Sequence, residues 1–319
     1  MALPQNAIKT ITLEGVVKNN ATHEFVPVVL HRMTAPLNLV PSCYDPRPDQ
    51  SPPWVKTLLE SVPERPPSRL PPPGTSQLHG HLARFRGDGR AGIVFELDNV
   101  QLDGATADPV SVPRLVVKIA RPNRLASLAR EAWFYDEMEC LQGSAIARCY
   151  GWFEMQLSPG QTVPAWKAHP TEDPHWHDYV LEVDETYGTI HPDQLARSAR
   201  RDVLSVLLLE QLGPTMPLGP LPESARTDIT SLYEDISHLG ISAAEDVRWH
   251  NILQAPQYEP CLPSLPSPFT NRVHSWRKIN FELPVKTNLT PWQLSLSYKA
   301  HLRTMFEEAE DEGTEDPWP

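Results

Sequence analysis

With 319 residues, 40% apolar and 21% charged, the chain can bury a substantial core, as one large domain or two small ones. A net charge of −12 at pH 7 excludes a general nucleic-acid binder, because phosphate neutralisation needs a basic surface. No apolar run reaches the ~18 residues of a membrane helix, and residues 1–12 lack a charged-then-apolar leader. The expectation is therefore an intracellular protein, cytoplasmic or nuclear, with neither nucleic acid nor membrane as partner.

Cys43, Cys140, Cys149 and Cys261 form no C-x-x-C pair and no metal spacing, so they read as reduced thiols. Proline is the outlier, at 35 residues, about twice the usual ~5% share. Long irregular segments must share the chain with the core.

In chain order, residues 1–40 form an N-terminal segment whose apolar stretches at 11–17 and 25–30 predict a two-stranded hairpin. Residues 41–77 read as a stiff proline-rich linker, since Pro52-Pro53, Pro66-Pro67 and Pro71-Pro72-Pro73 preclude helix or central strand. The main domain spans 78–306. Strands are predicted at 81–86, 92–100 and 115–120, the last an apolar run with one embedded lysine. Leu125, Leu128, Ala132, Tyr135, Met138 and Leu141 then recur at helical spacing.

Strand character returns at 146–153. A polar insertion follows at 155–201, where His169, His175, His177 and His191 show no metal spacing. The most apolar run is 203–209. A helix at 224–239 ends on Gly240, the residue suited to a left-handed cap. Two short apolar runs, 251–253 and 276–283, flank a second insertion at 254–275. A last helix is predicted at 291–306, and the acidic tail 307–319 is expected to be solvated and without order.

Four elements carry chemistry. Gly87, Gly89, Gly92 and Val94 fit G-x-G-x-x-G-x-V between two predicted strands, where missing side chains let backbone N–H groups approach phosphates. A strand–strand setting argues against a Rossmann turn, which opens a helix. Lys118 sits inside the apolar strand and needs a partner. Glu131, thirteen residues on in the amphipathic helix, can turn back to it, and such a pair positions a nucleotide's α- and β-phosphates. Asp246 and Asn251 lie five apart on a loop leading into a strand: an aspartate there can accept a hydroxyl proton and an asparagine can hold magnesium.

The set resembles the protein-kinase fold: glycine-rich loop, lysine on the third strand, helix glutamate, and a catalytic loop ending in asparagine. The wording around the motifs is similar to fungal kinase-like proteins with a shortened C-terminal lobe. It rests on Glu131…Tyr135, Leu141-Gln142-Gly143, the loop Asp246-Val247-Arg248-Trp249-His250-Asn251-Ile252-Leu253, and Trp276-Arg277-Lys278-Ile279-Asn280-Phe281 with Lys286-Thr287-Asn288.

The resemblance implies an α+β, two-lobed fold, with an antiparallel sheet and one helix in the first lobe and a reduced, mainly helical second lobe. It implies ATP and Mg2+ as cofactors and an unidentified protein or small molecule as acceptor. By position, Gly87, Gly89 and Gly92 cover the phosphates, Lys118 held by Glu131 binds them, and residues 208–212, with Glu210 and Leu212, form the adenine hinge. Asp246 is the implied base, Arg248 a γ-phosphate contact, and Asn251 and Asn280 the metal positions.

Three departures stand out. Asn280 replaces the metal-binding aspartate of D-F-G by a neutral amide, a change that costs on the order of 10²–10³ in rate if that charge acts like one oxyanion-hole donor. Ala243-Ala244-Glu245 replaces the usual H-R before the catalytic aspartate. Only 39 residues follow Asn280, which predicts a lobe without the later helices on which protein substrates dock. The leading function is an ATP-dependent phosphotransferase, impaired if Asn280 fails to hold the metal and acting on Ser/Thr if the acceptor is a protein; the alternatives are a pseudokinase serving as an interaction module and a small-molecule kinase.

Overall fold

A computed structural model describes residues 2–34, 59, 61–89, 91–103, 110–122, 124–168, 200, 202–243 and 246–314. The strands are β1 (Ile8–Asn19), β2 (Phe25–Arg32), β3 (Ser76–Asp88), β4 (Gly92–Asp103), β5 (Leu115–Ala120), β6 (Cys149–Gln156), β7 (Gln161–Thr162), β8 (Val203–Glu210), β9 (Ile241–Ser242), β10 (Ile252–Gln254), β11 (Trp276–Lys278) and β12 (Val285–Lys286). The helices are α1 (Leu125–Glu137), the single turn α2 (Ala165–Ala168), α3 (Glu223–Ser237) and α4 (Pro291–Thr314). The histidine-bearing part of the first insertion and Cys43 lie outside the described residues.

The large sheet runs β2-β6-β8-β5-β4-β3-β1-β7, and β2 also pairs with β1. Seven strands thus close on themselves, with β7 added to the end of β1. The antiparallel sheet expected for the first lobe is there as β3, β4, β5, β8 and β6. It is not open. The 1–40 segment, expected to precede the domain, supplies the two closing strands: β1 runs parallel to β3, and β2 meets β6 through His31 and Arg32. The hairpin was legible locally, but its docking joins partners tens of residues away and leaves no local signature.

Period-two alternation sorts the strands into two cores. Leu115, Val117 and Ile119 of β5 point into the barrel with Leu204, Val206 and Leu208 of β8. Val116 and Ala120, with Leu207, Leu209 and Trp152, face outward to α1 and the C-terminal part. Lys118 shares that outer phase. In register, Gly87 pairs with Val94, Val94 with Lys118, Lys118 with Leu207, and Leu207 with Trp152, so one row crosses the sheet from glycine hairpin to β6.

Helix α1 lies across this face, burying Leu128, Ala132 and Tyr135 together with Glu131. Below it, α3 and α4 pack with Tyr233 and Tyr298 ring to ring at 5.0 Å. Gly240 closes the α3 end at φ +67°, as the sequence predicts. Short pairs β10–β11 and β9–β12 complete the C-terminal part.

Three segments differ from expectation. The described end of the proline-rich linker lies against the protein: Arg65 and the Arg69 N–H bond Glu139 at 3.0 and 2.8 Å, and Leu59 pairs with Asn288. The second insertion is packed too. His274, fully buried, bonds Asp228 at 2.7 Å and Asp235 at 2.6 Å on α3. Finally, α4 continues through the predicted acidic tail to Thr314, because Met305, Phe306 and Ala309 are buried and Glu310 ion-pairs with Arg226. Residues 315–319 lie outside the described part.

Candidate functional site

Lys118 and Glu131 meet as anticipated from their placement on β5 and α1: Nζ donates to Oε2 at 2.5 Å. Both are buried, at 7% and 1% exposure. Burial pushes the Glu131 carboxyl upward in pKa, the Lys118 ammonium opposes this, and the nearby Glu282 charge adds to it. Lys118 Nζ also donates to Asn280 Oδ1 at 3.1 Å.

Asn280 is held there by its neighbours. Its φ of +65° is left-handed, a conformation asparagine tolerates better than most residues. Next to it, Phe281 is fully buried and meets the Tyr135 ring edge-on at 5.2 Å, which ties the segment to α1. Lys286 bonds Glu137 at 2.5 Å, and Arg130 bonds the Pro284 carbonyl at 2.5 Å. The helix that carries Glu131 and the segment that carries Asn280 are thus fastened at three points.

The Asp246 loop is built from the other side. Tyr298 Oη donates to the Ile241 carbonyl and accepts from the Ala243 N–H, bracketing the chain just before the loop. A 3-10 turn at Trp249–Asn251 then leads into β10. Its antiparallel partner β11, together with the Ile279 N–H to Asn251 carbonyl bond of 3.0 Å, sets Lys278 and Asn280 beside Asn251.

Asp246 is 3% exposed, and both carboxylate oxygens accept hydrogen bonds. Asn251 Nδ2 donates to Oδ1 at 2.9 Å and Lys278 Nζ to Oδ2 at 2.8 Å. Lys278 has no exposed surface, and it also donates to the Ile279 and Asn280 carbonyls at 2.6 and 2.9 Å. Burial lowers its pKa, against the pull of Asp246. Lys278 was missed in sequence because it occupies a variable position of the W-R-x-I motif, and its partner lies 32 residues away.

The remaining expected residues divide. Gly87 and Gly89 leave open space where a Cβ would stand, with only the Gly92 carbonyl 3.7 Å from Gly89. Gly92 is needed for packing, since a Cβ there would meet the Ile119 carbonyl at 2.5 Å. The hairpin tip is tied down by Arg121, which ion-pairs with Asp88 and donates to the Gly89 carbonyl at 3.1 Å. This arginine, 1% exposed, was also missed, because nothing in its sequence setting marks a partner on a preceding hairpin.

Val94 and Leu212 are partly buried at the margin of the outer core. No backbone carbonyl among the described residues accepts the Leu212 N–H, whereas Gln211 and Gly213 donate to Arg114 and Gln254. Glu210, which the resemblance implies for the hinge, has its carboxylate committed to Arg148, whose N–H and Nη1 it binds at 2.9 and 2.8 Å. Its backbone N–H is also taken, donating to the Arg148 carbonyl at 2.9 Å. Arg248 is exposed and is not brought onto Asp246 by any hydrogen bond or ion pair among the described residues.

A divalent cation does not fit this donor set. Magnesium requires near-octahedral oxygen ligands and usually one or two carboxylates. Here both Asp246 oxygens accept N–H bonds, and the Asn280 amide oxygen accepts one from Lys118. Elsewhere among the described residues no group of three His, Cys, Asp or Glu side chains could hold a metal ion. No helix of the described chain is long and apolar enough to cross a membrane.

No family model and no curated protein matches the chain. It is similar to the solved structure of WaaP in complex with acyl carrier protein, with 12% identity, 72% of this chain and 79% of that chain covered, and a TM-score of 0.30. It is also similar to the structure of vaccinia related kinase 3, at 13% identity, with 64% of this chain and 48% of that chain covered and a TM-score of 0.29.

Proposed function

We propose that the chain is an ATP-binding protein of kinase-like build that anchors a nucleotide well and transfers its γ-phosphate poorly, acting as a pseudokinase. The observation that carries this reading is the buried Lys118–Glu131 pair at 2.5 Å, in register with the glycine hairpin along one row of the sheet. An ammonium fixed on a rigid strand, below glycines that leave open space, is an anchor for α- and β-phosphates. The Leu212 N–H just past β8, which no backbone carbonyl of the described residues accepts, supplies a donor for the adenine ring.

Transfer is weakened at Asp246. A general base accepts the hydroxyl proton on a free carboxylate lone pair. Two of the roughly four lone-pair sites of the Asp246 carboxylate are already engaged, one by an ammonium at 2.8 Å. The neutral Asn280 also lacks a charge that would stabilise phosphoryl transfer, worth roughly 10²–10³ in rate if it acts like one oxyanion-hole donor. A working phosphotransferase is the second reading, favoured by the convergence of Asp246, Asn251, Lys278 and Asn280 in one cluster.

Calorimetric titration of the full chain with ATP tests the first reading. Micromolar binding lost in Lys118→Ala is expected, and absence of binding to the unaltered protein refutes it. Release or transfer of γ-phosphate at about 1 s⁻¹ or faster, the range of working kinases, replaces it with the second reading.

A further inference from the structure

A metal ion in a nucleotide cleft cancels carboxylate charge that would repel phosphates, and it holds the loops that carry its ligands at a fixed separation. Here one buried side chain does both. Lys278 Nζ is an ammonium with three donors, and it has three acceptors: Asp246 Oδ2, the Ile279 carbonyl and the Asn280 carbonyl, at 2.8, 2.6 and 2.9 Å. It joins the Asp246 loop to the Asn280 segment, the two elements a metal would bridge. Its remaining surroundings include the Phe281 ring face, 5.2 Å from Nζ.

The second cation completes the arrangement. Lys118 Nζ covers Glu131 Oε2 and Asn280 Oδ1, so Asn280 is bonded by Lys118 at its side chain and by Lys278 at its backbone. A divalent ion bridging Asp246 and Asn280 would meet the Lys278 ammonium at Asp246 Oδ2 and the Lys118 ammonium at Asn280 Oδ1, while Asp246 Oδ1 already holds the Asn251 amide. With Asp246 and Glu131 each paired internally, neither carboxylate faces an incoming phosphate uncompensated.

We propose that Lys278 is the resident cation of this site, standing in for the divalent metal, so that a nucleoside di- or triphosphate binds here as the metal-free anion. The nucleotide part rests on the reading given above. The exclusion of metal does not, because it follows from the occupancy of the oxygens.

The test uses Mn2+ as probe on the full chain, with electron paramagnetic resonance counting bound ion, and a fluorescent ATP analogue as second probe. The unaltered protein is expected to bind no Mn2+ whose retention depends on Asn251, and Lys278→Met/Asn280→Asp is expected to gain one such ion. Mn2+ bound by the unaltered protein and lost in Asn251→Ala would overturn the proposal, as would a folded double variant that gains none.

Should the double variant fail to fold, nucleotide affinity decides. Affinities in chelator and in magnesium agreeing within about twofold support the proposal, and about tenfold tighter binding with magnesium, or 1.4 kcal/mol, overturns it. Absence of nucleotide binding in both conditions refutes the nucleotide reading alone, and the Mn2+ result on the unaltered protein then stands by itself.

Discussion

Replacing Lys118 by methionine removes the partner of a carboxylate that is 1% exposed and 2.5 Å away. Methionine keeps the stem volume, so the perturbation is mainly the lost charge. Breaking a buried ion pair from one side costs about 3–5 kcal/mol at neutral pH. Unfolding entropy of ~2.1 cal/mol/K per residue gives the 319-residue chain about 1.5 °C in Tm per kcal/mol, so the loss is about 5–8 °C.

The pH dependence separates this cause from lost packing. The pKa of Glu131 in the folded protein is raised above its ordinary value of 4.5 by burial, and without Lys118 it rises further. The folded state then holds a proton that the unfolded state releases, so stability falls as pH rises from the unfolded value to the folded one. The deficit of Lys118→Met therefore grows with pH between the folded-state value of the unaltered protein and the higher one of the variant, by up to about 1.4 kcal/mol per pH unit for one proton. Urea unfolding at pH 5, 6, 7 and 8 would measure it, with Lys118→Met/Glu131→Gln as the control in which the slope vanishes. A deficit that is constant from pH 5 to 8, or that stays under about 1 kcal/mol at pH 8, would refute the reasoning.

Asp246→Asn and Lys278→Met should be strongly non-additive, with a coupling of about 1–3 kcal/mol in a double-mutant cycle by denaturant melts, because each strands the other's partner. Gly92→Ala should cost about 1–3 kcal/mol, since its Cβ meets backbone, while Gly87→Ala should stay within about 0.5 kcal/mol; thermal melts of the two compare them directly. Burial lowers the His274 pKa, but the hydrogen bonds to Asp228 and Asp235 outweigh this and raise it above 6.5. Its contribution is therefore complete below about pH 6.5 and lost as pH rises through the folded value. His274→Gln should accordingly be most destabilising near pH 6 and least near pH 9, and equal deficits at both ends would contradict the assignment.

Local chemistry was legible and long-range pairing was not. The apolar run 115–120 with Lys118 embedded in it announced a strand whose lysine needs a partner, and the spacing of Leu128, Ala132 and Tyr135 announced the helix that buries Glu131. Their meeting followed from that geometry. Lys278 and Arg121 could not be read as partners of Asp246 and Asp88, because adjacent residues give no hint of contacts 32 and 33 positions away. The Glu210 carboxylate is held by Arg148, 62 positions earlier, a pairing that nothing in the local sequence marks. The acidic end of α4 likewise turned helical through Ala309 and Glu310 against α3 and the chain before it, a tertiary effect that overrides composition.

The two strands that close the barrel bear on how this protein can be cut. In an open sheet β3 and β6 would be outermost, each presenting a row of unsatisfied main-chain groups that invites pairing with another molecule. β1 lies along β3 from Ile8 to Glu14, and β2 reaches β6 at His31 and Arg32. The first 32 residues are therefore a tethered guard against self-association. A fragment begun at Leu78, where the kinase-like motifs start, keeps every residue of the candidate site. It also bares both flanks of the sheet and should precipitate or form oligomers.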